Sequence, residues 1–182
     1  MTLLLMGANP CATLFEGDRA TAFASVWRVD WSVRGSGHAL VLGTPEAVRI
    51  IGPDLELAAW LGHEFNRHLT TVRSGIAWRE PELTAAPVEF DLDLDHGLFA
   101  AADDVSVAVT GPIERFLTRN DEYDLGGVPR ILSTVWIPCA DATVTEGDRR
   151  LRGAPRTDLD AQSSTAFIAE AEVWCTTDHP RR

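Results

Sequence analysis

The stretch Ser25–Gly43, SVWRVDWSVRGSGHALVLG, decides the fold class. Trp27, Val29, Trp31 and Val33 alternate with Arg28, Asp30, Ser32 and Arg34. That period of two belongs to a strand with one buried face. Gly35-Ser36 suits a two-residue turn that needs positive φ. With Arg34 opposite Gly37, Trp31 falls opposite Leu40 and Val29 opposite Leu42, so one apolar face runs through both arms. This hairpin predicts an antiparallel sheet.

The same alternation recurs along the chain. Ala47–Ile51 is a short apolar run with strand character. Val88–Asp95, VEFDLDLD, sets Val88, Phe90, Leu92 and Leu94 against Glu89, Asp91, Asp93 and Asp95. Val105, Val107 and Val109 alternate with small residues, and the apolar run from Ile131 to Cys139 reads as a strand covered on both faces. Residues 142–151 read as a hairpin around Glu146-Gly147-Asp148, and Ser164–Cys175 as a long final strand. A short strand is expected at Gly75–Trp78 and a short helix over 112–122, carrying Ile113, Phe116 and Leu117. One segment has strong helical period: Pro53 and Asp54 open a helix of about 54–69, with Leu57, Trp60, Leu61, Phe65, His68 and Leu69 on one side.

Roughly eight to ten strands with short connections and one helix do not make a β-α-β alternation. The expected fold is α+β and β-rich: a strongly curved antiparallel sheet or incomplete β-barrel with the helix packed on it. A two-sheet β-sandwich is the alternative. The 182 residues suit one domain, 1–182, with 176–182 a frayed tail.

Composition excludes several functions. The formal charge is -11, which repels phosphate backbones, so no nucleic-acid partner is expected. The best basic patch is Arg149, Arg150, Arg152 and Arg156, which reads as solvated charge beside a turn. All sixteen basic residues are Arg. Without Lys there is no Schiff-base lysine and no Walker-type phosphate loop; such an Arg-only composition fits a GC-rich, bacterial-type coding bias. Cys11, Cys139 and Cys175 form no CxxC and suit a reducing compartment. The N-terminal apolar run is too short for a secretory signal, and no run reaches the ~18 residues of a membrane span. A cytoplasmic protein with no membrane partner is expected.

Metal motifs fail on geometry. Asp91, Asp93 and Asp95 lie on one strand face at ~6.8 Å spacing, too far apart to converge on an ion. Asp95 and His96 could meet Asp103-Asp104 only if the intervening chain folds back. In the helix, His63 and His68 are not at HExxH spacing. No metal and no cofactor are expected.

Six Trp against one Tyr suggest aromatic walls: Trp27, Trp31, Trp136, Trp174 and Tyr123 are the candidate substrate-binding residues. Arg28 and Asp30 near the start of the chain, and Glu170 and Glu172 near its end, are the candidate catalytic residues. If first and last strands meet, Arg28 or Asp30 faces Glu170 or Glu172. In an apolar pocket such carboxylates would be poised for proton transfer. Arg115, Arg119 and Arg130 could clamp an anion. Two readings follow. The first is a small-molecule-binding, barrel-like protein for an apolar organic ligand; if catalytic, it is a cofactor-independent isomerase, cyclase or lyase. The second is an acidic interaction module, an immunity-type inhibitor or adaptor, whose Glu89–Asp95 face meets a basic partner.

Overall fold

The computed structural model describes residues 1–176, with backbone only at 70–73. Apart from Thr176, the tail expected to fray lies outside the described residues. Strands β1 (Thr2–Ala8), β2 (Cys11–Glu16), β3 (Arg19–Ser32), β4 (Gly37–Gly43) and β5 (Val48–Gly52) come first. A helix follows in three parts: α1 (Leu55–Leu61), a π-helical turn (Gly62–Asn66) and α2 (Arg67–Ser74). Then come β6 (Glu82–Ala85), β7 (Val88–Asp93), β8 (Gly97–Ala102), β9 (Val105–Pro112), β10 (Phe116–Leu125) and β11 (Val128–Glu146). The chain closes with β12 (Arg149–Arg150), β13 (Thr157–Asp158), β14 (Ser163–Ser164) and β15 (Ala166–Cys175).

One 13-stranded sheet runs in the order β6-β5-β4-β3-β1-β15-β11-β9-β8-β7. A single continuous sheet rules out the sandwich alternative. β2 continues β1 along β3 and β15, and β10 continues β9 along β11. Every pairing is antiparallel except β5 with β6. The sheet curls strongly without closing into a barrel. Leu40, Leu42 and Ile51 near one end of the order share a core with Leu98, Ala100, Val105 and Val107 near the other. The edge strands β6 and β7 are consecutive in the chain, linked only by Ala86-Pro87. Arg49 on β5 ties the two sides together, reaching Asp104 at 2.7 Å, Glu146 at 2.9 Å and Asp103 at 3.1 Å.

Both faces of the central strands are covered. On β3, Ala22, Ala24 and Val26 face the enclosed core, while Trp27 and Val29 face the helix with Leu57, Ala58, Leu61 and Phe65. The helix starts where the sequence places it, because Asp54 Oδ1 accepts from Glu56 N at 3.0 Å and Leu57 N at 3.1 Å. It runs past Leu69 to Ser74, through the π turn.

Five expectations change. The β3–β4 hairpin exists, but Leu40 faces Val26, and Val29 faces Gly37. The loop is wider than two residues: Ser32 Oγ accepts from Arg34 N and donates to Gly35 O, shaping the turn. A bulge then turns Trp31 out of the Trp27–Val29 row, since β1 pairs Met6 with Trp31 but Gly7 with Val29. Trp31 ends 44% exposed. Residues 116–125 form β10, not a helix, because pairing with β11 overrides the local three- and four-residue spacing; Leu117 ends 85% exposed. Gly75–Trp78 is not a strand; the strand in this region is β6, further on.

Among the described residues no helix is long and apolar enough to cross a membrane.

Candidate functional site

A cavity of about 130 Å³ lies between the helix and the sheet face that carries Trp27. Its floor is a row of small residues, Gly7 on β1 with Ala169 and Ala171 on β15. Gly7 is required here: a Cβ would collide with the Arg28 carbonyl where β1 and β3 run close. Aromatic rings stand around this floor. Trp136 stacks on Phe167 at 3.8 Å between centroids, and Trp27 meets Phe65 at 5.4 Å. Tyr123, Leu69, Leu5, Leu132 and Val173 complete the apolar wall. The cavity exists because Gly and Ala leave volume that the rigid rings and the helix above cannot collapse into.

The π turn shapes the roof. It places Phe65 in the cavity wall and turns Asn66 fully inward, where its Oδ1 accepts from Trp27 Nε1 at 2.9 Å. That bond fixes the indole, while Asn66 Nδ2 has no partner. At the edge, Pro10 interrupts the strand formed by β1 and β2. Asn9 beside it donates through Nδ2 to Ser25 Oγ at 2.8 Å and Val26 O at 3.1 Å, and accepts from Cys11 Sγ through Oδ1. Thr134 stands on β11 between Leu132 and Trp136, so all three point into the cavity. It is 7% exposed, and its Oγ1 has no partner. None of the lining residues is Asp, Glu, Arg or His.

The four candidate catalytic residues occupy the other face of the same strands. Arg28 and Glu170 both lie opposite Ala8 in the register of β3–β1–β15. Arg28 Nη2 reaches Glu170 Oε1 at 3.2 Å, and its Nε reaches Asp30 Oδ1 at 3.1 Å. Arg28, Asp30, Glu170 and Glu172 line one open depression of about 610 Å³, with Met6, Leu117 and Arg119. Burial works against the Arg28 cation, but its hydrogen bonds to Asp30 and Glu170 outweigh this and push its pKa up. His38 faces Arg28 across β3–β4, and its ring lies 5.5 Å from Phe90. Burial, then the Arg28 charge, push the His38 pKa down, against a smaller opposing pull from Asp30. The Glu170 side chain is 34% exposed. This is a solvent-open ion-pair cluster, not an apolar pocket around a carboxylate.

The structure therefore joins Arg28 to Asp30 and Glu170, but separates all four charged residues from the aromatic wall. Trp27 and Arg28 are neighbours in one strand, so they point to opposite faces. Trp27, Trp136 and Tyr123 line the cavity. Trp31 is turned out by its bulge, and Trp174 pairs with Leu3 and Ile131 outside the cavity lining. Sequence reasoning missed Asn9, Phe65, Thr134 and Phe167 as lining residues. The Asn-Pro step inside an apolar strand was a readable signal for Asn9; nothing local marked Thr134.

The remaining candidates disperse. Glu89, Asp91 and Asp93 are exposed on edge strand β7, with Val88, Phe90 and Leu92 half-buried behind them. Asp93 binds His96 at 3.1 Å and Asp95 binds Arg115 at 2.8 Å, whereas Asp103 and Asp104 sit at the far end of β8 on Arg49. The proposed meeting of these acids does not occur. Arg119 pairs with Asp121, and Arg130 is buried against Cys175 and Glu64, so the three arginines form no clamp. Cys139 is a core residue whose thiol burial pushes up to about 11. Among the described residues no three His, Cys, Asp or Glu side chains converge on a metal position.

No protein-family profile matches the chain, and no curated protein matches it. Among solved structures it is similar to an acetoacetate decarboxylase from Legionella pneumophila, at 9% identity and a TM-score of 0.33, over 95% of this chain and 84% of that one. A likeness this loose carries no argument about the site.

Proposed function

We propose that this protein binds a small organic molecule in the cavity beneath the helix. The observation that carries the reading is an aromatic-walled space whose floor is held open by Gly7, Ala169 and Ala171. Sites of this kind, apolar with few polar groups, are where small ligands bind. Trp27 and Trp136 line the space, so binding should change intrinsic fluorescence. The test is a quenching screen of small organic molecules against the wild type and Ala169→Leu, which fills the floor at a residue the open depression does not share, while circular dichroism checks the fold. Quenching by a hit should disappear in the variant. Equal quenching in both proteins would place the ligand elsewhere.

A second reading concerns the other face. Arg28, Asp30, Glu170 and Glu172 share one depression, which supports acid–base chemistry of isomerase, cyclase or lyase type there. Glu170 or Glu172 would move the proton, and Arg28 would steady developing negative charge. On this reading the substrate sits in the open depression and not in the cavity. Turnover that survives Ala169→Leu, at a residue that lines the cavity and not the depression, but not Glu170→Gln or Glu172→Gln would favour it.

A further inference from the structure

We infer that the cavity selects an uncharged, single-ring aromatic molecule bearing one hydroxyl or carbonyl group, whose oxygen meets Thr134 Oγ1. The inference rests on the reading of the cavity as the binding site and adds the class of ligand. Four observations carry it. The first is size: about 130 Å³ is close to the about 150 Å³ of an engineered apolar cavity that holds benzene. The second is shape and surface. Trp27, Phe65, Tyr123, Trp136 and Phe167 offer ring faces and edges, against which a flat ring packs with geometric preference.

The third is charge. No acidic, arginine or histidine side chain lines the space, so a carboxylate or ammonium there would lose its hydration with no counter-ion to replace it. The fourth is the position of Thr134 Oγ1, the buried unpartnered atom that belongs to a lining residue. Both Asn9 Nδ2 donors are already engaged, by Ser25 and Val26. Thr134 Oγ1 is buried and has no partner, at a point where its neighbours Leu132 and Trp136 face the cavity. An unmade buried hydrogen bond is costly, and a ligand oxygen would complete it. The hydroxyl can donate to a carbonyl or exchange a bond with a phenol.

The experiment uses fluorobenzene, fluorophenol and fluorobenzoate as probes, followed by fluorine NMR with the full chain and with Thr134→Val and Thr134→Ser. Thr134→Val is isosteric and removes only the unpaired hydroxyl. Fluorophenol should bind about three- to tenfold more tightly than fluorobenzene, the worth of one net hydrogen bond. Fluorobenzoate should not bind. Thr134→Val should lower fluorophenol to the level of fluorobenzene and leave fluorobenzene unchanged, while Thr134→Ser keeps the preference. Equal affinity for the phenol and the hydrocarbon, or a preference that survives Thr134→Val, would overturn the role of Thr134 and leave the cavity reading standing. Binding of fluorobenzoate as tight as that of fluorophenol would overturn the requirement for a neutral ligand. If no probe binds, the single-ring ligand class is overturned, while the quenching screen decides the cavity reading separately.

Discussion

Arg49→Met should weaken the whole fold, and by an amount that depends on salt and pH. The sheet's two edge strands are joined by a two-residue link, and Arg49 is the charged tie between β5 and the β8–β9 and β11–β12 turns. Its side chain is 17% exposed, and it donates to three carboxylates between 2.7 and 3.1 Å away. Exposed ion pairs contribute about 0–1 kcal/mol, whereas removing one partner of a buried pair costs about 3–5 kcal/mol. Here the cation is mostly buried, but Asp103 and Asp104 are half open to water, so the cost lies between these limits, at about 2–3 kcal/mol. For a chain of this size that is a fall in Tm of about 5–10 °C. The three acids left behind also repel one another, so the deficit should shrink as salt screens them. Proton linkage gives a second check. Arg49 holds the Asp104 carboxyl below its ordinary range, so this stabilisation is fully present above the unfolded carboxylate value of about 4. It is lost as pH falls through the lower, folded value. Thermal unfolding of wild type and variant, at low and high salt and from neutral pH to about pH 3, measures all of this. A Tm change under about 1 °C at low salt, or a deficit indifferent to both salt and acid, would refute the tie.

Two further outcomes follow from the same geometry. Gly7→Ala should destabilise by about 1–3 kcal/mol in urea unfolding, because the new methyl meets the Arg28 carbonyl and backbone cannot step aside cheaply; an unchanged midpoint would mean that β1 and β3 are less close than described. His38 has its pKa pushed down by burial and by Arg28, so its contribution is complete above the unfolded value of about 6.5 and lost as pH falls through the folded value. His38→Gln should flatten the stability profile between about pH 7 and 5, and a slope equal to that of the wild type would remove His38 from the account.

Much of the fold is legible in local pattern. Val88–Asp93 behaves as its alternation says, with Val88, Phe90 and Leu92 half-buried and Glu89, Asp91 and Asp93 exposed. Asp54 caps the helix, and Val48–Gly52 is a strand. The misreadings share a cause. At 112–122 the spacing of Ile113, Phe116 and Leu117 is helical, yet the next strand, β11, folds back on this segment from Leu125↔Val128 to Phe116↔Trp136 and holds it as β10. In the β3–β4 hairpin the apolar residues fit more than one register. Ser32, turning the loop, and the bulge at Asp30 selected the one observed.

The candidate site divides along the same line. Strand alternation by itself sorted Trp27 from Arg28 and Glu170 from Ala171 into two sets. Strand spacing also showed that the Asp91–Asp95 acids cannot converge, and the absence of Lys excluded lysine chemistry. Which set lines a cavity was decided only by tertiary structure: the helix covers the Trp27 face, while the curl of the sheet covers Ala24 and Val26 on the other face and leaves Arg28 and Glu170 open to water. The cavity itself is a deficit of side-chain volume at Gly7 and at Ala169 and Ala171, near opposite ends of the chain and brought together only by the β1–β15 register. A missing volume leaves no local signature in sequence, and neither does an unpaired hydroxyl such as that of Thr134. Each becomes visible only when β1, β11, β15 and the helix are packed against one another.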